Sequence, residues 1–215
     1  MKYLIVTGGE CDDKFATEVI KQGGFEVIIA VDSGMELLYQ MHIQPDIIVG
    51  DFDSVNPDTL EHFRSQEQID ICILDPVKDD TDTEHAIREA ISRGADDITI
   101  LGATGSRMDH VLGSIALLGI GLEERMDIQI LDANNRIRMI DGPLTIRRDE
   151  QYGNFVSLIP YMGDVTGVTL TGFRYPLQDY TMGGFNSLGI SNEIVEDEAQ
   201  IDLKAGYLLV IESRD

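Results

Sequence analysis

Up to about residue 135, short apolar runs alternate with stretches of helical spacing, and this alternation constrains the fold more than any other feature. "YLIVTGG", "EVIIAVDSG", "PDIIVGDFDS", "DICILD", "DITILGATG" and "DIQILD" each read as a strand running into a polar or glycine-rich turn. Between them, "DKFATEVIKQGG", "MELLYQMHI", "NPDTLEHFRSQ", "TDTEHAIREAISRG" and "RMDHVLGSIALLGIGLEE" read as helices, the second stopped by Pro45. Near-continuous apolar strands alternating with helices make a parallel sheet covered on both faces. Local signals agree. Asn56 before Pro57 is an N-cap followed by proline in the first turn. Thr81 with Glu84 forms a capping box ahead of an apolar stripe of Ala86, Ile87, Ala90 and Ile91.

From about residue 136 the helical spacing disappears. "RIRMIDGPLTIRR", "NFVSLIPY", "GVTLTGF" and "AGYLLVIES" are short runs split by Gly, Pro and Asp, which read as strands. The expected fold class is α/β: an N-terminal parallel-sheet domain over 1–135, then a small all-β, sandwich-like domain over 136–215. The text between them is not low-complexity, so the two parts are expected to pack closely.

Charge narrows the function. With 16 basic and 39 acidic residues the chain carries a formal −23, which argues against nucleic acid and membrane-surface partners. Most of these carboxylates are ordinary solvated surface. Cys11 and Cys72 have no CxxC partner and no histidine at zinc-finger spacing, a pattern that suits a reducing cytoplasm. The four-residue apolar run in "MKYLIVTGGE" is too short for a signal h-region and reads as a first strand.

Open parallel sheets bind ligands outside the carboxyl ends of their strands. Five such turns here are acidic or glycine-rich: Gly8–Gly9, Asp32–Ser33–Gly34, Asp51–Asp53, Asp79–Asp82 and Gly102–Asp109. In "GDFDS", extended backbone would point Asp51 and Asp53 to one side. Paired carboxylates suit Mg²⁺, which takes its remaining ligands from water and phosphate oxygens. Asp82 is a third carboxylate if its turn faces the first. The competing explanation is a pair of capping turns with solvated acids. "GATGSRMDH" offers backbone N–H groups at a helix start, with Arg107 able to contact phosphate. It matches neither G-x-x-x-x-G-K-[ST] nor G-x-G-x-x-G. His85 and His110 stand in no recognisable nucleophile–base spacing, and His42 and His62 read as surface residues. In the β part, Phe173 and Tyr175 could stack on a flat ring, and Ser191 and Asn192 could hydrogen-bond ring nitrogens.

Taken in order, "GDFDSV", "DPVKDDTDTEHAI", "LGATGSRMDH", "GFRYPL" and "GISNE" resemble the thiamine pyrophosphokinase family over nearly the whole chain. The resemblance implies transfer of a pyrophosphoryl group from ATP to the hydroxyethyl group of thiamine, giving thiamine diphosphate and AMP. It also implies a homodimer with active sites between subunits. Carried over by position, it implies catalytic roles for Asp51, Asp53, Asp82, Arg107 and Asp109, with Mg²⁺ on Asp51, Asp53 and Asp82. It implies nucleotide contacts from Gly8, Gly9, Asp32, Ser33, Gly34, Thr81, Gly102 and Gly105, and thiamine contacts from Tyr175, Ser191 and Asn192. The proton of the thiamine hydroxyl is expected to pass to Asp82 or Asp109. His85 stands where some members carry Lys, and Lys78 where some carry Gln. Two competing readings are a pyrophosphokinase for another heterocyclic alcohol, such as a pterin, and a non-catalytic nucleotide or metal sensor.

Overall fold

Six strands in the first part run parallel and alternate with helices: β1 (Lys2–Val6), α1 (Asp13–Gln22), β2 (Val27–Val31), α2 (Gly34–Gln40), β3 (Ile47–Gly50), α3 (Pro57–Arg64), β4 (Asp70–Ile73), α4 (Asp82–Ser92), β5 (Asp97–Leu101), α5 (Met108–Leu117), α6 (Gly119–Glu124) and β6 (Asp127–Leu131). This computed structural model describes residues 1–75 and 80–215, so Lys78 and Asp79 lie outside the described residues. It divides into two units, Met1–Ala133 and Asn134–Asp215.

The strands of the first unit lie in the order β4-β3-β2-β1-β5-β6. The winding direction therefore reverses between β1 and β5, and the turns after these two strands flank the switch point. Strand side chains alternate between faces. Leu4, Val6, Ala30 and Ile48 share a buried cluster with Ala16 of α1, Met35 and Leu38 of α2 and Phe63 of α3. By the same alternation, Tyr3, Ile5, Ile29 and Ile47 belong to the opposite face. There α4 packs along β1, β2 and β3 and buries Ala86, Ile87 and Ala90.

Capping follows the sequence signals with one change. Asn56 accepts from the Asp58 N–H at 2.8 Å, with Pro57 opening α3. Thr81 Oγ1 accepts from the Glu84 N–H at 3.2 Å. Glu84 does not return the bond and instead accepts from Arg88 at 2.7 Å, so the capping box is only half made. The long run after residue 107 does not stay one helix: it breaks into α5 and α6 at Leu118.

The second unit holds β7 (Asn135–Ile140), β8 (Leu144–Arg147), β9 (Phe155–Thr171), β10 (Leu177–Met182), β11 (Glu198–Asp202) and β12 (Ala205–Ser213). "NFVSLIPY" and "GVTLTGF", expected as separate strands, are one 17-residue strand, β9. Positive φ at Met162 (59°), Gly163 (148°) and Gly167 (71°) lets it bend rather than break. Its first half pairs with β12, which pairs with β7, and its second half pairs with β10 and β11. β10 and β11 are polar on their outer faces and carry little apolar signal. Val156, Leu158, Val165, Val168 and Leu170 of β9 form the centre of the unit's core, with Phe173, Met182, Ile201, Leu208 and Val210 around them.

Across β7 and β12 lies a buried ion cluster. Glu212, fully buried, accepts two bonds from Arg136 (2.7 Å each), one from Arg138 (2.6 Å) and one from the Tyr152 N–H (2.9 Å). Burial pushes its carboxyl up, but the hydrogen bonds and the two guanidinium charges outweigh that and hold it below the ordinary glutamate range.

Candidate active site

At the switch point the turns after β1 and β5 are pinned together. Thr7 N–H donates to Leu101 O (2.9 Å), Gly9 N–H to Gly102 O (2.7 Å) and Glu10 N–H to Thr104 O (2.9 Å). This approach requires glycine. A Cβ on Gly9 would overlap the Gly102 carbonyl, and Gly102, at φ +71°, faces the Thr7 carbonyl. Gly8 lies against the Ser33 hydroxyl, and Gly34 against the Val6 carbonyl, so the turn after β2 joins the same rim. Gly105 lies beside Glu10 on the β5 side.

The carboxylates assemble differently from the sequence expectation. Asp51 and Asp53 do not project side by side from extended backbone. Phe52 between them is buried at φ +64°, and Asp51 Oδ1 turns to accept from the Asp53 N–H at 3.1 Å. This is an aspartate turn, which leaves Asp53 exposed. Among the described residues no three His, Cys, Asp or Glu side chains lie together as a ready-made metal-holding group. The structure instead brings Asp32, after β2, against Asp82, the first residue of α4. Burial and the hydrogen bond and charge of Asp82, with a smaller contribution from Asp51, raise the Asp32 carboxyl from 3.8 to about 7. Asp32 Oδ1 is buried and meets no hydrogen-bond donor among the described residues. Gly50, at φ +151°, makes room for that carboxylate, which a Cβ would overlap. The acidic turn 51–53 lies against the pair: the Phe52 N–H donates to the Asp32 carboxylate, which works against the upward shift, and Asp51 adds its charge.

Thr81 is spent on capping α4. Arg107 and Asp109, at the start of α5, bind each other at 2.6 Å and are exposed. The hydrogen bond from Arg107 holds the Asp109 carboxyl below the usual range, which makes it a weak proton acceptor.

In the β unit, Asn192 is 7% exposed and its amide is engaged. Its Oδ1 accepts from the Tyr175 and Glu193 N–H groups (3.0 and 2.9 Å), and its Nδ2 donates to Tyr175 O (2.8 Å). Its backbone pairs with Val156 in both directions. Asn192 therefore clasps "GFRYPL" to "GISNE", with one Nδ2 hydrogen not used in the clasp. Sequence could not show this, because the partner is seventeen residues away. Tyr175 is 60% exposed, with Arg174 5.8 Å from its ring, and is free to stack. Ser191, at φ +58°, is held by its N–H on Ser157 Oγ at 3.0 Å and leaves its own side chain exposed. Asn192→Ala is expected to cost roughly 1–3 kcal/mol of stability, because the Tyr175 and Glu193 N–H groups lose their acceptor. Urea unfolding checks this, and an unchanged midpoint refutes the clasp.

Two family models match the chain: the thiamin pyrophosphokinase catalytic domain over residues 23–130 and the thiamin pyrophosphokinase vitamin B1 binding domain over residues 143–208. The chain is 34% identical over 188 residues to a thiamine pyrophosphokinase of Bacillus subtilis, covering 87% of each. A crystal structure of thiamine pyrophosphokinase from Bacillus subtilis superposes with a TM-score of 0.89 at 31% identity, over all of both chains. One from Geobacillus thermodenitrificans superposes with a TM-score of 0.86 at 31% identity, over 100% of this chain and 98% of that one. Motif order, fold and relatives coincide across both units, and the chain belongs to the thiamine pyrophosphokinase family of pyrophosphoryl-transferring enzymes.

Proposed function

We propose that the rim carrying Asp32, Asp51, Asp82 and the glycine turns holds the triphosphate of ATP with Mg²⁺, and that the Tyr175–Ser191 face takes thiamine. The chain transfers a pyrophosphoryl group from ATP to thiamine, and the family match does not favour the pterin or sensor alternatives. The observation that carries the rim assignment is the Asp32–Asp82 pair, two carboxyls held together with a buried oxygen that lacks a donor. A divalent cation suits that oxygen set. When bound, Mg²⁺ would supply charge neutralisation at the phosphates. Asp32 and Asp82 would hold it, with Asp51 beside them, and Asp53 would contribute through the turn it forms with Asp51. Backbone N–H groups of the Gly8–Gly9 and Gly102–Gly105 turns would take phosphate oxygens, and Arg107 would do so after leaving Asp109. The thiamine hydroxyl oxygen attacks the β-phosphorus, the bond to the α-phosphate oxygen breaks, AMP leaves, and the hydroxyl proton passes to a carboxylate. That carboxylate is Asp82 or Asp109, the latter released when Arg107 turns to phosphate.

We further assign a homodimer in the cytoplasm. α5 buries none of its residues, and Met108 and Leu112 are 61% and 60% exposed, an apolar face that a second copy would cover. Among the described residues neither cysteine is in a disulfide. No helix among the described residues is long and apolar enough to cross a membrane.

ATP labelled at its β-phosphorus is expected to deliver label to thiamine diphosphate with release of AMP, in a Mg²⁺-dependent manner. ADP with thiamine monophosphate would mean γ-transfer and refute the assignment. Light scattering on the same sample is expected to give twice the 23.8 kDa chain mass, and an active monomer refutes the dimer.

A further inference from the structure

Cys72, His85 and Asp80 form a line of side chains to which the proposed transfer assigns no role. Cys72 lies on β4, which among the described residues pairs with β3 alone, opposite Val49. Its neighbours Ile71 and Ile73 project from the exposed face, 40% and 67% accessible, so Cys72 points to the other face, where α4 packs. Cys72 Sγ stands 3.6 Å from His85 Nε2, in the first turn of α4. His85 Nδ1 stands 3.5 Å from Asp80 Oδ2, and both side chains are 34% accessible. A carboxylate on Nδ1 favours the tautomer whose Nε2 lone pair faces the thiol. A sulfur, a base within reach of it, and a third group orienting that base are the parts of an activated nucleophile. The spacing of Cys72 and His85 in the chain gives no hint of this, because β4 and α4 meet only after folding.

We propose that Cys72 is a reactive thiol and a modification site, with His85 as the base that takes its proton, open to exchange with small uncharged disulfides. The thiol proton moves to His85 Nε2. The Cys72 sulfur attacks one sulfur of the disulfide, the new S–S bond forms as the old one breaks, and the departing thiolate recovers a proton from His85. An uncharged reagent is specified because a chain of net charge −23 repels anions. The mixed disulfide would stand against the first turn of α4, the turn that carries Asp82.

Cys11 is the internal control. Burial first, then Asp12, Asp13 and Asp132, push its thiol up to about 11, which keeps it protonated and slow to react at neutral pH. The experiment treats the native protein with 2,2′-dithiodipyridine and follows thiopyridone release, with each adduct placed by peptide mass spectrometry. Cys72 is expected to react at least about tenfold faster than Cys11, and His85→Gln to slow Cys72 by about tenfold without changing Cys11. Equal rates at the two cysteines, or an unchanged Cys72 rate in His85→Gln, would overturn the proposal. A His85→Gln variant that fails to fold would reveal itself by a faster Cys11, and the wild-type comparison of the two cysteines then decides alone.

Discussion

Asp32→Asn is expected to stabilise the ligand-free chain at about pH 8 while lowering transfer activity by on the order of 10²–10³. Burial, then Asp82, raises the folded-state carboxyl of Asp32 from 3.8 to about 7. Between those values the folded chain keeps a proton that the unfolded chain has released. The stability linked to this group is therefore complete below about pH 4 and is lost as pH rises through about 7. The pair is half-exposed, so solvent screening reduces the loss to on the order of 1 kcal/mol. Asn keeps the shape, tolerates the left-handed backbone at φ +45°, and removes the charge repulsion. Urea unfolding of both chains at about pH 5 and about pH 8 checks the slope, which should flatten in the variant. Mg²⁺ should restore wild-type stability at the higher pH and leave the variant unmoved. A variant that is less stable at about pH 8 and still active would show that Asp32 is a structural cap. The trade of stability for function here is of the kind expected when two carboxyls are held together for a cation.

Glu212→Ala is expected to be the most destabilising single change, by about 3–5 kcal/mol, because it leaves Arg136 and Arg138 in place without their shared buried carboxylate. The Tyr152 N–H loses its acceptor as well. Glu212→Gln should cost less, since an amide oxygen can still accept, but it gives up the charge. The folded-state carboxyl lies below its unfolded value, so the wild-type contribution is present above the ordinary glutamate range and is lost as pH falls through the lower folded value. Acid unfolding of the wild type therefore includes a Glu212 component, which Glu212→Gln should lack. A melting temperature for Glu212→Ala within error of the wild type would show that the two arginines find water instead.

Both predictions turn on contacts that join distant parts of the chain, and this marks how far the sequence could be read. The apolar runs of the first unit, the Asn56–Pro57 helix start and the glycine turns after the strands were legible, because each is a local matter of periodicity, capping or positive φ. The division near residue 135 was visible as a change of period, and the family as an ordered series of short motifs. β10 and β11 were not legible, since strands with polar outer faces show little alternation. The bent β9 was read as two strands, because Gly163 and Gly167 look like turn residues until β12 is seen pairing across the first and β10 across the second.

At the candidate site, chain position decided which residues lie on the rim, and tertiary structure decided what each of them does there. Asp32 and Asp82 both follow strands, but only the placement of α4 beside the end of β2 makes them a pair whose like charges raise a carboxyl toward neutrality. Asp51 and Asp53, which looked like the pair, are separated by a left-handed Phe52. Asn192, read from sequence as a ring contact, also ties the Tyr175 backbone in place. Local spacing along the chain reports periodicity and turns, whereas the state of a charge or an amide depends on through-space neighbours at a few ångströms, and only the folded packing brings those together.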